Sequence, residues 1–149
     1  MKKKIFEELS RNYRKVCKAV PKKITEEIIK NLPDDPGVYI FYENRKVKYV
    51  GRANNLKKRI KQHLSNSPKS SNSSFRRNIQ KKMGIKYTDT KDYIMQNMEF
   101  YYIIFNNNEF AYADTLLFEA FLIRQWKSRK KHELINCDYD LSEDEVNKK

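Results

Sequence analysis

With 149 residues, the chain has room for one compact domain with a real core, but not for a second folded unit beside it. Lysine and arginine outnumber aspartate and glutamate by 32 to 19, a formal charge of +13, which argues against a basic partner and for an anionic one. Cys17 and Cys137 stand far apart with no CxxC or Cys/His cluster, so neither a zinc site nor a disulfide framework is expected.

The first element is a predicted helix over residues 2–18, where Ile5, Leu9, Tyr13 and Val16 recur at helical spacing. The opening Lys2-Lys3-Lys4 is followed by Ile5-Phe6-Glu7-Glu8-Leu9 rather than an apolar core, so it does not read as a secretion signal. No later run approaches membrane-spanning length, and the expectation is a soluble, cytoplasmic protein without a membrane partner. After Pro21 a second helix is predicted from Ile24, Ile28, Ile29 and Leu32, with Glu26 and Glu27 placed to suit the dipole of its first turn. Pro33-Asp34-Asp35-Pro36 then forbids helix and starts an extended segment.

Val38-Tyr39-Ile40-Phe41-Tyr42 is rich in β-branched and aromatic residues, Glu43-Asn44-Arg45 is a turn, and residues 46–50 alternate basic with Val or Tyr. This predicts a β-hairpin on which Tyr39 shares a face with Phe41, and Tyr49 with Val47. Asn54 or Asn55 can cap a following helix whose apolar stripe is Leu56, Ile60 and Leu64, and residues 65–74 form a polar low-complexity loop. A short basic helix is predicted over residues 75–83, ending at Gly84, and another helical turn over 90–97. Residues 100–105 read as a buried strand, and residues 109–126 as a long helix that is apolar nearly all round and therefore laid across a sheet.

Charge is distributed unevenly. Residues 44–86 contain fourteen Lys or Arg and no acid, while Asp138, Asp140, Glu143, Asp144 and Glu145 crowd the end of the chain. A basic run can be a merely solvated face, but a surface of that length without one carboxylate implies a positive field turned toward nucleic acid.

Several side chains in this frame can carry chemistry. Tyr39 and Tyr49 become cross-strand neighbours in the hairpin; taken alone, such a pair is usually structural. Arg59 and His63, four residues apart, project from one helix face beside the apolar stripe, where a boundary role is the common one. Glu119 is flanked by Leu117-Phe118 and Ala120-Phe121, with Thr115, Leu116, Leu122 and Ile123 one turn away. A carboxylate in such a helix needs protonation, a cationic side chain or a metal ion.

The segments Gly37-Val38-Tyr39 and Tyr49-Val50-Gly51, followed by Arg52, Arg59 and His63, resemble the core of the GIY-YIG nuclease family, most of all its excision-repair incision subunits and small restriction-type members. The resemblance covers residues 37–136. It implies an α+β fold, a small three-stranded antiparallel sheet flanked by helices, here with an N-terminal helical extension over residues 1–32, a nuclease-like domain over 33–137 and an acidic tail over 138–149.

In site terms the resemblance implies that Tyr39, Tyr49, Arg59 and His63 are catalytic, with Tyr39 the preferred general base and His63 a proton acceptor or hydrogen-bond partner. Glu119 is expected to hold Mg²⁺, with Mn²⁺ as a substitute, and Arg52, Arg76, Arg77 and Asn136 to bind substrate. Arg76 and Arg77, with Lys81 and Lys82, are placed to contact backbone phosphates. The expected activity is metal-dependent hydrolysis of DNA, taken as duplex. One site would nick, and a homodimer formed through the N-terminal helices would cut both strands. The alternative of a different class is a non-catalytic nucleic-acid-binding module with the same fold; RNA cleavage is a substrate variant that no RNA-binding motif supports.

Overall fold

The computed structural model describes residues 2–65, 73–127 and 132–136. The acidic tail, Cys137 and the tip of the polar loop lie outside these. The elements are α1 (Lys2–Cys17), β1 (Lys22–Lys23), α2 (Glu26–Lys30), β2 (Gly37–Glu43), β3 (Lys46–Ala53), α3 (Leu56–His63), α4 (Ser74–Met83), a 3₁₀ turn (Tyr87–Asp89), α5 (Thr90–Asn97), β4 (Glu99–Ile104) and α6 (Ala111–Lys127).

One antiparallel sheet in the order β1-β4-β2-β3 organises the chain. The expected three strands are joined by a two-residue fourth, β1, where Lys22 and Lys23 pair with Phe100 and Glu99. Alternation along β2 sends Tyr39 and Phe41 to one face, with Leu56, Ile60, Phe75, Ile79 and Ile94 of α3, α4 and α5. Val38 and Ile40 go to the other, with Phe118, Leu122 and Trp126 of α6 and Val16 of α1. A strand buried on both faces explains the uninterrupted apolar run of β2. The helical extension is built into these same cores, through Val16 on one side and Ile24, Ile29 and Leu32 on the other.

Local chemistry sets the boundaries. Asn44 and Arg45 both take positive φ, +52° and +65°, the two-residue turn that matches strand twist. Thr25 accepts from the Ile28 amide, Asn55 from that of Lys58, and Ser73 from that of Arg76, capping α2, α3 and α4. Gly84 closes α4 with φ +71°.

Three expectations are corrected. The register slips between Phe41 and Tyr42, with Phe41 opposite Tyr49 but Tyr42 opposite Val47, so Lys48 is the extra residue of a β-bulge. Val47 therefore joins the α6 face while Tyr49 keeps the other. The strand read as buried leaves Tyr101 and Tyr102 half-covered and Ile104 exposed. And α6 packs on the sheet with one face only: Tyr112, Leu116 and Leu117 are exposed. Residues 132–136 run along the outer edge of β3, where the Glu133 and Ile135 amides donate to the carbonyls of Val47 and Lys48 and cover a strand edge that would otherwise be open. Among the described residues, no helix is long and apolar enough to cross a membrane.

Candidate active site

The carboxyl-terminal end of β3, α3, the start of α4 and the first half of α6 enclose a cleft of about 570 Å³. Tyr39, Tyr49, Arg52, Lys58, Arg59 and Glu119 line it. Much of its wall comes from the acid-free stretch of the sequence, so cations focus their field into a concave site.

Tyr39 forms the floor. It is fully buried, and its hydroxyl lies 2.6 Å from His63 Nε2. His63, equally buried at the end of α3, meets Ser73 Oγ with Nδ1 at 2.7 Å. With Nδ1–H donated to Ser73, Nε2 is left to accept the phenolic proton. Tyr49 lies beside this pair, ring centroids 6.3 Å from Tyr39, stacked at 4.5 Å on Phe75, and its hydroxyl shares a 3.0 Å bond with Ser74 Oγ.

Gly51 is what lets Tyr39 occupy that floor. It is the register partner of Tyr39, and a Cβ at position 51 would come within 2.2 Å of the phenol ring. The ring lies where any other residue would place its side chain.

Burial raises the Tyr39 phenol well above its ordinary range; the neighbouring Tyr49 adds to this, Arg59 opposes it by charge and a hydrogen bond, and Glu119 adds a smaller upward push. Desolvation thus outweighs the Arg59 cation at this phenol. Arg52 is directed elsewhere: Nε donates to Thr115 Oγ1 at 3.0 Å, Nη2 bonds Asn54 Oδ1, and the guanidinium lies 4.4 Å from the Tyr112 ring centroid. His63 is pushed the other way, well below its ordinary value, by burial first and then by the charges of Arg59 and Arg76. The resting pair is thus a neutral phenol on a neutral imidazole.

Arg59, on α3, donates Nη1 to Gln62 Oε1 at 3.1 Å and presents its charge to both Tyr39 and His63. Glu119 is half-buried on the opposite wall rather than enclosed in the helix packing, a correction that follows from α6 exposing this side. Among the described residues no three His, Cys, Asp or Glu side chains gather into a metal cage. One carboxylate facing a polar cleft suits a hard cation that keeps most of its water and takes phosphate oxygens, and does not suit zinc.

Two expected substrate contacts fall away. Arg76 is 1 % exposed; Nε donates to Thr90 Oγ1 at 2.6 Å, Nη1 to the Ser65 carbonyl at 2.6 Å and Nη2 to the Tyr87 carbonyl at 3.0 Å, with its guanidinium over the Tyr87 ring. It ties α4 to the loops around it. Asn136 is buried too, its amide accepting from Val50 N at 3.0 Å and donating to Val50 O at 2.7 Å. It takes the place of a paired strand residue on β3. Arg77, by contrast, is exposed on α4. The structure also brings Ser73, Ser74, Thr115 and Asn54 into the site as hydrogen-bond partners of His63, Tyr49 and Arg52. A serine pair ahead of a basic helix was the N-cap signal for the first two.

Fold and site together define an α+β domain that brings two phenols, a guanidinium and a carboxylate to one cationic cleft, with an imidazole bonded behind its floor. The chain belongs to the GIY-YIG nuclease family: a family model described as the UvrC-like GIY-YIG domain matches residues 35–129. It is similar to the UvrABC system protein C of Aquifex aeolicus, 33% identical over 104 residues that cover 70% of this chain and 15% of that protein. Over 39 residues it is 56% identical to the UvrABC system protein C of Bartonella henselae, covering 26% of this chain and 6% of that one. The chain thus spans about 15% of the length of the first of these relatives. Among solved structures, the GIY-YIG N-terminal endonuclease domain of UvrC from Thermotoga maritima, bound to magnesium as its catalytic divalent cation, is 22% identical, with a TM-score of 0.43 over 70% of this chain and 94% of that one.

Proposed function

We propose that residues 33–137 act as a metal-dependent DNA endonuclease that hydrolyses phosphodiester bonds with a single divalent cation, Mg²⁺ or in its place Mn²⁺, held by Glu119. The observation that carries this reading is the 2.6 Å contact between the Tyr39 hydroxyl and His63 Nε2 at the floor of a cleft that also holds Arg59 and Glu119. Family membership supports it, as does the cationic wall.

Hydrolysis needs a water aligned with the leaving 3′ oxygen, a destination for its proton, and stabilisation of charge on phosphorus. As the water attacks, its proton passes to the Tyr39 oxygen while the Tyr39 proton passes to His63 Nε2, leaving an imidazolium held by Ser73. Arg59 grips a non-bridging oxygen, for which its fixed donors are suited. That same contact offsets the cation that depresses His63, so substrate binding makes the imidazole a better acceptor. Tyr49 holds the wall of the site through Ser74. When bound, the cation supplies charge stabilisation at the scissile phosphate.

One cleft cuts one strand, so a single copy nicks duplex DNA; cutting both strands takes a homodimer, for which the exposed Ile5 and Phe6 of α1 offer a surface. The free thiol of Cys17 suits the reducing cytoplasm.

The test is cleavage of supercoiled plasmid and a labelled oligonucleotide panel by native protein and Glu119→Ala, with Mg²⁺ or with chelator. Native protein should cut only with metal, and folded Glu119→Ala should bind DNA yet lose at least about a hundredfold in rate. If both bind equally and neither cuts with Mg²⁺ or Mn²⁺, the chain is a binding module that keeps the fold.

A further inference from the structure

Tyr112 is an aromatic side chain that the chemistry above does not use. It sits in the first turn of α6 with 60% of its surface exposed, against Arg52, which lines the cleft, rather than in either core. One face of its ring is covered by the Arg52 guanidinium at 4.4 Å from the centroid, and Arg52 is itself pinned by Thr115 and Asn54. The exposure therefore belongs to the opposite face and the ring edge. A ring backed by a fixed cation is a rigid platform, and leaving it in water costs apolar surface that the fold has not covered.

Position on the helix gives the platform its direction. Tyr112, Leu116 and Glu119 lie at i, i+4 and i+7, one stripe along α6, and Leu116 and Glu119 both line the cleft. At a rise of about 1.5 Å per residue, Tyr112 is roughly 10 Å along the axis from Glu119. That corresponds to about three nucleotide steps of a stacked strand. The facing wall carries Lys58 and Arg59 for the backbone of the same strand. A flat aromatic face, an apolar Leu116 and a cationic wall opposite match a nucleobase turned out of its stack more closely than they match any protein partner.

We infer that Tyr112 is a substrate-positioning residue, the stacking platform for an unpaired nucleobase a few nucleotides from the scissile phosphate. The inference rests on the cleft being a nuclease site, and deepens that reading by naming a side chain that positions the substrate.

The experiment measures binding in chelator to a fully paired duplex and to the same duplex with a short unpaired stretch, then cleavage of both with Mg²⁺, for native protein, Tyr112→Ala and Tyr112→Phe. Tyr112→Ala should lose about five- to a hundredfold in affinity for the unpaired DNA and little for the paired duplex, while Tyr112→Phe keeps native preference. Equal affinities for native and folded Tyr112→Ala, an equal loss on both DNAs, or a loss in Tyr112→Phe as large as in Tyr112→Ala would overturn the inference. Should the melting temperature of Tyr112→Ala fall, Tyr112→Leu, which keeps bulk over Arg52 without a flat ring, replaces it and should show the same selective loss. A selective Tyr112 effect without cleavage upholds the platform and removes the nuclease reading; cleavage without a Tyr112 effect does the reverse; no DNA binding removes both.

Discussion

Burying a phenol and an imidazole against each other penalises the charged form of both, so Tyr39 and His63 rest neutral and share one proton across 2.6 Å. Stability inherits a pH dependence from this. In the unfolded chain His63 takes up a proton as pH falls through about 6.5, while in the fold it refuses that proton down to its lowered value. Stability present above pH 6.5 is therefore lost on acidification, at up to about 1.4 kcal/mol per pH unit. Urea unfolding between pH 7.5 and 5.5 should show that slope, and His63→Gln should flatten it. An unchanged slope in the variant would place the acid sensitivity elsewhere.

At the scale of elements, the β2–β3 hairpin controls the site because it fixes the register that sets Tyr39 over Gly51 and Tyr49 beside it. Its turn is not optimal. Arg45 holds φ +65°, a region that costs a non-glycine residue about 1–2 kcal/mol, and glycine is favoured at the second position of such a turn. Arg45→Gly should raise unfolding free energy by about 1 kcal/mol after the entropy gained by the unfolded chain is offset, read from urea or thermal melts, with cleavage unaffected. The hairpin, its turn and the cap of α3 were legible in the sequence because each is decided by residues within a few positions. The bulge at Lys48 was not: strict alternation put Val47 with Tyr49, and only pairing with β2 reveals the added residue.

Across the whole molecule, the cations divide into those that hold the fold and those that face solvent, a division that composition cannot make. Arg76 and Arg77 are neighbours in sequence with opposite fates. Arg76→Met strips the Ser65 carbonyl and the Thr90 hydroxyl oxygen of the guanidinium donor, leaves the Tyr87 carbonyl only its bonds from Thr90, and should cost about 3 kcal/mol or more in stability. Arg77→Ala should leave the melting temperature within a degree or two and lower the slope of log affinity against log salt by about 1, if it meets a phosphate. Unfolding and DNA titrations at several salt concentrations separate the two; the reverse assignment would show Arg76 to be a surface contact.

The sequence by itself determined most of the helices, the hairpin, an asparagine cap for α3 and the Gly84 end of α4, because turn residues and period-two and period-four patterns act over short separations, whereas the two-residue β1 and the contact between Tyr39 and His63 join distant positions. Glu119 was legible as an anomaly, a carboxylate in an apolar helix, but its exposure toward a cleft depended on which side of α6 meets the sheet. Tertiary structure alone decided that Arg76 is captured by segments eleven and more residues away on either side, that Asn136 pairs with the backbone of Val50 and that desolvation outweighs the Arg59 charge at the Tyr39 phenol. Each of these turns on which groups distant segments bring within a few ångströms, and on how much water they remove, and neither quantity is written at any single place in the chain.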